Sequence, residues 1–201
     1  MGQAVAMRNQ TPARTIEDWV ESENIKQKFQ EVLDKGAGAF VTSILSLVKS
    51  TPQLAAADPK TVISAAMTAA TLKLPINPNL GFAYIIPYGK EAQFQMGYKG
   101  YIQLAMRTGQ YKTINASVVY EGQIEDVDFV TGEIIRGTKK SDKVVGYVAY
   151  FELVNGFSKM VYMTKEEMLQ HAMTYSKAYQ YDKRSGKSAS VWTTNFEAMG
   201  L

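Results

Sequence analysis

The run Leu74-Pro75-Ile76-Asn77-Pro78 divides this chain into two patterns of hydrophobic spacing, and so sets what it can fold into. Proline lacks an amide hydrogen and pushes the residue before it out of the helical region, so a helix arriving at Leu74 must stop there. Upstream, the pattern is helical. Thr15 with Asp18 approximates a capping box, and Trp19, Ile25, Phe29, Val32 and Leu33 recur at helical spacing. A second helix is expected from Phe40 to Lys49, ended by Thr51-Pro52. A third starts at Asp58-Pro59, an N-cap followed by proline in the first helical position, and runs to Leu74. Residues 1–14 are small, polar and proline-containing, and read as a disordered lead-in.

Downstream, short alternating runs replace the helical period. Phe82 to Pro87 and Ala92 to Met96 read as strands around a Tyr88-Gly89-Lys90-Glu91 turn, and Tyr101 to Thr108 as a helix capped by Gly109. Lys112 to Tyr120, Gln123 to Phe129 and Glu133 to Arg136 read as further strands. Val144 to Val154 and Phe157 to Met163 form the clearest hairpin, because Asn155-Gly156 tolerates the positive φ of a tight turn. Thr164 with Glu167 caps another helix, residues 176–190 read as a mobile basic loop, and a last helix begins at Ser190. The expected class is α+β: a helical N-terminal third, then an antiparallel sheet flanked by helices. With 201 residues and 46% hydrophobic content, residues 15–201 are expected to form a single domain.

The net charge is only +3, so its placement matters more than its sum. Residues 81–120 carry Lys90, Lys99, Arg107 and Lys112 against the single acid Glu91, among eight of the 22 aromatic residues. Residues 174–196 carry Lys177, Lys183, Arg184 and Lys187 against Asp182, beside Tyr175, Tyr179, Tyr181, Trp192 and Phe196. Cations beside flat rings suit single-stranded nucleic acid, where the cation meets phosphate and the ring accepts an unstacked base. The strongest instance is Gly97-Tyr98-Lys99-Gly100-Tyr101, a Tyr-Lys pair between two glycines that let backbone amides approach a phosphate, ahead of a helix with a positive N-terminus. Lys99 and Arg107 are eight residues apart, which lets them share a helix face. The G-x-x-G spacing resembles a KH loop, but that loop joins two helices and a strand precedes this one.

The segment Phe94 to Tyr111, with Leu74-Pro75-Ile76-Asn77-Pro78 and Gly81-Phe82-Ala83-Tyr84-Ile85-Ile86-Pro87-Tyr88, resembles the RecT family of phage and prophage DNA single-strand annealing proteins. The resemblance runs over most of residues 15–201. It implies a non-enzymatic protein of homologous recombination and repair that needs no cofactor or ATP, oligomerises into rings or helical filaments, and pairs a complementary strand to single-stranded DNA, passing through an annealed duplex intermediate. It also implies a basic strand-binding groove, to which Lys177 and Arg184 belong, a phage exonuclease as partner, and contact with the host single-strand-binding protein through a region beyond Leu201. The candidate DNA-binding residues are therefore Lys90, Tyr98, Lys99, Tyr101, Arg107, Lys112, Lys177, Lys183, Arg184, Lys187 and Trp192.

The acids Glu121, Glu125, Asp126 and Asp128 leave open a magnesium-dependent nuclease. Such a site wants an acid-x-Lys triplet on a strand, and the only triplet of that kind, Asp58-Pro59-Lys60, opens a helix. An RNA-binding sheet platform lacks its aromatic pattern. The single histidine, His171, has no cysteine or acid pair to complete a metal site. Gly186-Lys187-Ser188 resembles the end of a nucleotide-binding loop, but Tyr181 stands where that loop needs glycine. The absence of cysteine excludes disulfides, the stretch Phe40 to Val48 is too short and too polar to span a bilayer, and no basic-then-apolar leader is visible. Ala6 stands where a myristoylation signal wants Ser or Thr. The expectation is a protein of the bacterial cytosol.

Overall fold

A computed structural model describes residues 15–200. The lead-in expected over 1–14 lies outside the described residues. The chain separates into two compact units, with the division between Arg107 and Thr108.

The first unit is built on helices α1 (Ile16–Glu21), α2 (Glu23–Leu33), α3 (Ala37–Ser50), α4 (Pro52–Ala55) and α5 (Pro59–Thr71). The expected first helix is two, broken at Ser22, whose hydroxyl turns back to the Trp19 carbonyl. Thr15 and Asp18 form the capping box, with Thr15 Oγ1 accepting from the Asp18 amide at 3.2 Å and Asp18 Oδ2 from the Thr15 amide at 2.9 Å. Helix α5 is central because alanines line it. Ala65, Ala66, Ala69 and Ala70 are buried with Val62, and side chains this short let neighbouring helices approach closely. Phe29, Ile44, Leu54 and Leu74 fill the space around it, each contributing about 1.5–3 kcal/mol by leaving water.

The hairpin β1 (Ala83–Tyr88) and β2 (Glu91–Met96) lies on this core through Ala83, Ile85 and Ala92. Its turn is tied to the start of α5: the Asp58 amide donates to the Lys90 carbonyl at 2.7 Å, and the Ala92 amide to Thr61 Oγ1 at 2.9 Å. Helix α6 (Tyr98–Arg107) closes the unit.

In the second unit the strands β3 (Tyr111–Tyr120), β6 (Val144–Leu153) and β7 (Ser158–Thr164) form an antiparallel sheet in the order β3-β6-β7. Strands β4 (Ile124–Val127) and β5 (Ile134–Arg136) form a separate hairpin. The α+β class is as expected, with the antiparallel strands divided among three small sheets. Asn155-Gly156 closes β6 to β7, with Gly156 at φ 87° and Asn155 Oδ1 accepting from the Phe157 amide at 3.0 Å. Helix α7 (Lys165–Tyr175) starts on the expected Thr164–Glu167 capping box. Helices α8 (Lys177–Ser185), α9 (Val191–Thr194) and α10 (Glu197–Gly200) follow. Their anchor on the sheet is an aromatic row: Tyr179, Trp192, Phe196 and Tyr147 stand in sequence with ring centroids 6.2, 6.0 and 5.9 Å apart. Burial, then the nearby Glu197 charge, raises the pKa of the Tyr147 phenol, whose hydroxyl has no hydrogen-bond partner among the described residues.

Candidate nucleic-acid interface

Helix α6 starts at Tyr98, so Tyr98 and Lys99 occupy its first turn and not the strand-to-helix turn expected. The glycines also serve a different purpose from the one expected. A β-carbon on Gly97 would overlap the Gly81 carbonyl oxygen. One on Gly100 would overlap the Phe82 carbonyl oxygen and lie 2.9 Å from Met96 Cγ. Both glycines therefore let α6 lie against the chain entering β1, and that packing turns Tyr98 and Tyr101 outward, 68% and 64% exposed. Lys99 is exposed beside them, its stem running against Gly81. Lys90 sits on the β1–β2 turn, also exposed.

The other two cations of this region are committed elsewhere. Arg107 donates from its two terminal nitrogens to the carbonyls of Leu72 and Lys73 at 2.6 and 2.8 Å. Those carbonyls end α5, where Lys73 takes a positive φ of 51°, so the guanidinium satisfies a helix terminus that would otherwise face water. Arg107 thus does not join Lys99 as a free phosphate-facing cation. Lys112 Nζ lies 2.8 Å from Glu152 Oε1, and that hydrogen bond, then the charge behind it, raises the pKa of Lys112 and lowers that of Glu152.

The basic loop expected at 176–190 is helix α8 for most of its length. Ser176 accepts from the Tyr179 amide at 3.2 Å to start it, and Gly186, at φ 67°, ends it. Lys177, Tyr181 and Arg184 follow at i, i+4 and i+7 and share one exposed face. Lys187 Nζ reaches to 6.0 Å from the Tyr181 ring centre, and Lys183 Nζ lies 5.3 Å from that of Tyr179. Trp192 is half-buried between Tyr179 and Phe196, which makes it part of the aromatic row that holds the terminal helices.

Sequence reading missed Asp182, 3% exposed on the inner face of α8. Its Oδ2 accepts from the Ala189 amide at 3.1 Å, the Ser190 amide at 2.8 Å and Thr193 Oγ1 at 2.7 Å, which ties the loop bearing Lys187 and the first turn of α9 back to α8. Hydrogen bonds from Ser190, then from Thr193, hold its pKa at about 2 against an ordinary 3.8. A carboxylate depressed in this way stabilises the fold above its ordinary pKa, and loses that contribution as pH falls from 3.8 through about 2. The near-UV circular dichroism of the terminal aromatic row is expected to fade over that range. Asp182→Asn should weaken the signal already at neutral pH and flatten the acid step; an unchanged acid step would show that the pin contributes nothing.

Three of the four acids of the nuclease alternative are engaged locally. Glu121 Oε2 accepts from Ser141 Oγ at 2.9 Å, Asp126 Oδ1 from the Val127 amide, and Asp128 Oδ1 from the amides of Val130 and Thr131. Among the described residues no group of three or more His, Cys, Asp or Glu is placed to hold a metal ion. No helix among them is long and apolar enough to cross a membrane.

Fold and site together describe an α+β protein that presents cations and tyrosine rings side by side on helix faces. The chain belongs to the RecT family, whose model matches residues 38–201. It is 47% identical over 194 residues to uncharacterized protein YqaK of Bacillus subtilis (strain 168), covering 96% of this chain and 65% of that protein. It is 30% identical over 163 residues to protein RecT of Escherichia coli (strain K12), covering 76% of this chain and 57% of that one. The chain thus spans less than two thirds of the length of either relative.

Proposed function

We propose that this chain is a DNA single-strand annealing protein of recombination that binds single-stranded DNA, assembles into oligomers and pairs a complementary strand without ATP or metal. Family membership supports the class, since RecT proteins are recombination and annealing proteins and are generally not enzymes. The observation that carries the reading to residues is the stripe Lys177–Tyr181–Arg184 on α8, with Lys187 reaching toward the same tyrosine. Cations on a rigid helix fix a phosphate track, while the ring between them offers a base a stacking surface. Lys90, Tyr98, Lys99 and Tyr101 supply a second such surface in the first unit. Trp192, Arg107 and Lys112 act by supporting the structure around them, and residues 15–201 act together in binding and assembly.

Annealing is downhill, so the protein has only to hold a strand extended with its base edges accessible and to offset phosphate repulsion. A relaxed duplex must be deformed before it enters a site shaped for one strand, at a cost of order 1–6 kcal/mol. Complementary oligonucleotides added one after the other, in EDTA and without nucleotide, are therefore expected to anneal and to leave large protein–duplex assemblies, whereas the same strands annealed beforehand leave few. Native mass spectrometry makes the comparison. Equal assembly on both substrates would reduce the chain to a generic basic DNA binder. An exonuclease and a single-strand-binding protein remain the partners that the family resemblance implies.

A further inference from the structure

The tip of the β4–β5 hairpin displays Phe129 at 95% exposure and Val130 at 76%. The turn beneath them is firmly built: the Asp128 carboxylate accepts from the amides of Val130 and Thr131, the Gly132 amide donates to the Asp128 carbonyl at 2.7 Å, and the Asp128 amide donates to the Glu133 carbonyl at 2.9 Å. A hydrogen-bonded turn that holds a phenylalanine in water has the form of an anchor without its pocket.

The same unit carries an apolar surface of matching character. Residues directly paired across antiparallel strands share a face, so Ile114, Phe151 and Lys159 stand together, as do Ala116, Ala149 and Val161. Tyr111 and Phe157 extend this face, with ring centres 5.7 and 6.0 Å from that of Phe151. Ile114 (40%), Phe157 (56%) and Val161 (52%) remain exposed.

The hairpin cannot cover that patch itself. It lies over the opposite face of the sheet, where Asn115, Ser117 and Tyr150 meet Ile134 and Arg136 across a cleft of about 790 Å³. Charge also matches the two surfaces. The hairpin carries Glu125, Asp126, Asp128 and Glu133 against Arg136, while Lys159, which pairs with Phe151 and also borders the cleft, makes no salt bridge among the described residues.

We propose that the Phe129–Val130 tip of one copy docks on the Ile114–Phe157–Val161 face of the β3-β6-β7 sheet of the next copy. Knob and patch are different surfaces on opposite faces of one sheet, so the contact is head-to-tail and leaves a free knob at one end and a free patch at the other. Such a contact builds an open or ring-closed array instead of a two-fold dimer. The inference supplies the contact for the oligomer in the proposed function and rests on that reading only there.

Complementation tests it. Phe129→Ser removes the knob and Val161→Glu spoils the patch by setting a carboxylate against the acidic hairpin. Each variant of the full chain, loaded on a single-stranded oligonucleotide, is expected to lose the higher oligomers of the wild type in native mass spectrometry. Their equimolar mixture should form a dimer and nothing larger, because one good knob and one good patch remain. Circular dichroism checks folding, with Phe157→Ser as a second patch variant should Val161→Glu unfold. Assembly of either variant like the wild type, a mixture without dimer, or a wild type that stays single on DNA would each overturn the contact. Anisotropy with an oligonucleotide too short for two copies reads strand binding separately; its loss in the wild type would instead count against the annealing reading.

Discussion

Lys177→Ala combined with Arg184→Ala is expected to lower affinity for single-stranded DNA roughly 25-fold at about 0.1 M salt, and to flatten the salt dependence by roughly 1.4 in log–log slope. The arithmetic follows from counterion release. Each phosphate contact on a single strand contributes about 0.7 to the slope, which is roughly fivefold in affinity at that salt. Lys99→Ala removes one such contact and should show half the change in slope. Tyr98→Phe leaves the ring in place and should change little, whereas Tyr98→Ala removes a stacking surface worth about 1–3 kcal/mol without altering the slope. Fluorescence anisotropy across a salt series separates the two kinds of loss, and annealing rates should fall in the same order. If the double variant keeps the wild-type slope while its fold is intact, the α8 stripe faces water and not phosphate. A larger loss for Tyr98→Phe than for the double variant would instead place a hydroxyl hydrogen bond at the centre of the site.

Signals confined to a few neighbouring residues were legible in the sequence. The capping boxes at Thr15–Asp18 and Thr164–Glu167, the Asp58-Pro59 start of α5 and the Asn155-Gly156 turn all stand where expected, since each is a bond or a φ preference within four residues. Helix α8 was not legible as a helix because it buries only Tyr179 and Asp182, too little to imprint an apolar period. Its punctuation, Ser176 before and Gly186 after, was there to be read. The fates of Arg107 and Lys112 were out of reach for a different reason. Their partners lie 35 and 40 residues away, and a cation in a sequence looks the same whether it meets phosphate or caps a distant helix. Asp182 was missed on a related ground, being an acid in a basic run whose three donors come from the loop after α8 and the first turn of α9, and a sequence does not show that the loop folds back on the helix.

Gly100→Ala is expected to destabilise the first unit by about 3 kcal/mol, against the sign that helix propensity alone would give. Alanine in an exposed helix stabilises by about 1 kcal/mol relative to glycine, because glycine surrenders more backbone freedom on folding. If Gly97 and Gly100 served only to let amides approach a phosphate, Gly100→Ala would follow that rule. Gly100 is buried, however, and its missing side chain is occupied by the Phe82 carbonyl, with Met96 Cγ at 2.9 Å and Leu74 Cδ1 at 3.3 Å. Methionine can move aside, but a backbone carbonyl entering a strand cannot, so α6 must lift from β1 and lose the packing beneath it. Gly38 provides the control. It lies in α3 with nothing within 4 Å of its absent β-carbon, so Gly38→Ala should stabilise by about 0.5–1 kcal/mol. Urea unfolding midpoints of the two variants should therefore move in opposite directions from the wild type. Gly100→Ala should also weaken strand binding through Tyr98, Lys99 and Tyr101, whose directions depend on where α6 sits. A rise in midpoint for both variants would return the Gly-Tyr-Lys-Gly motif to its first reading, a flexible turn open to phosphate.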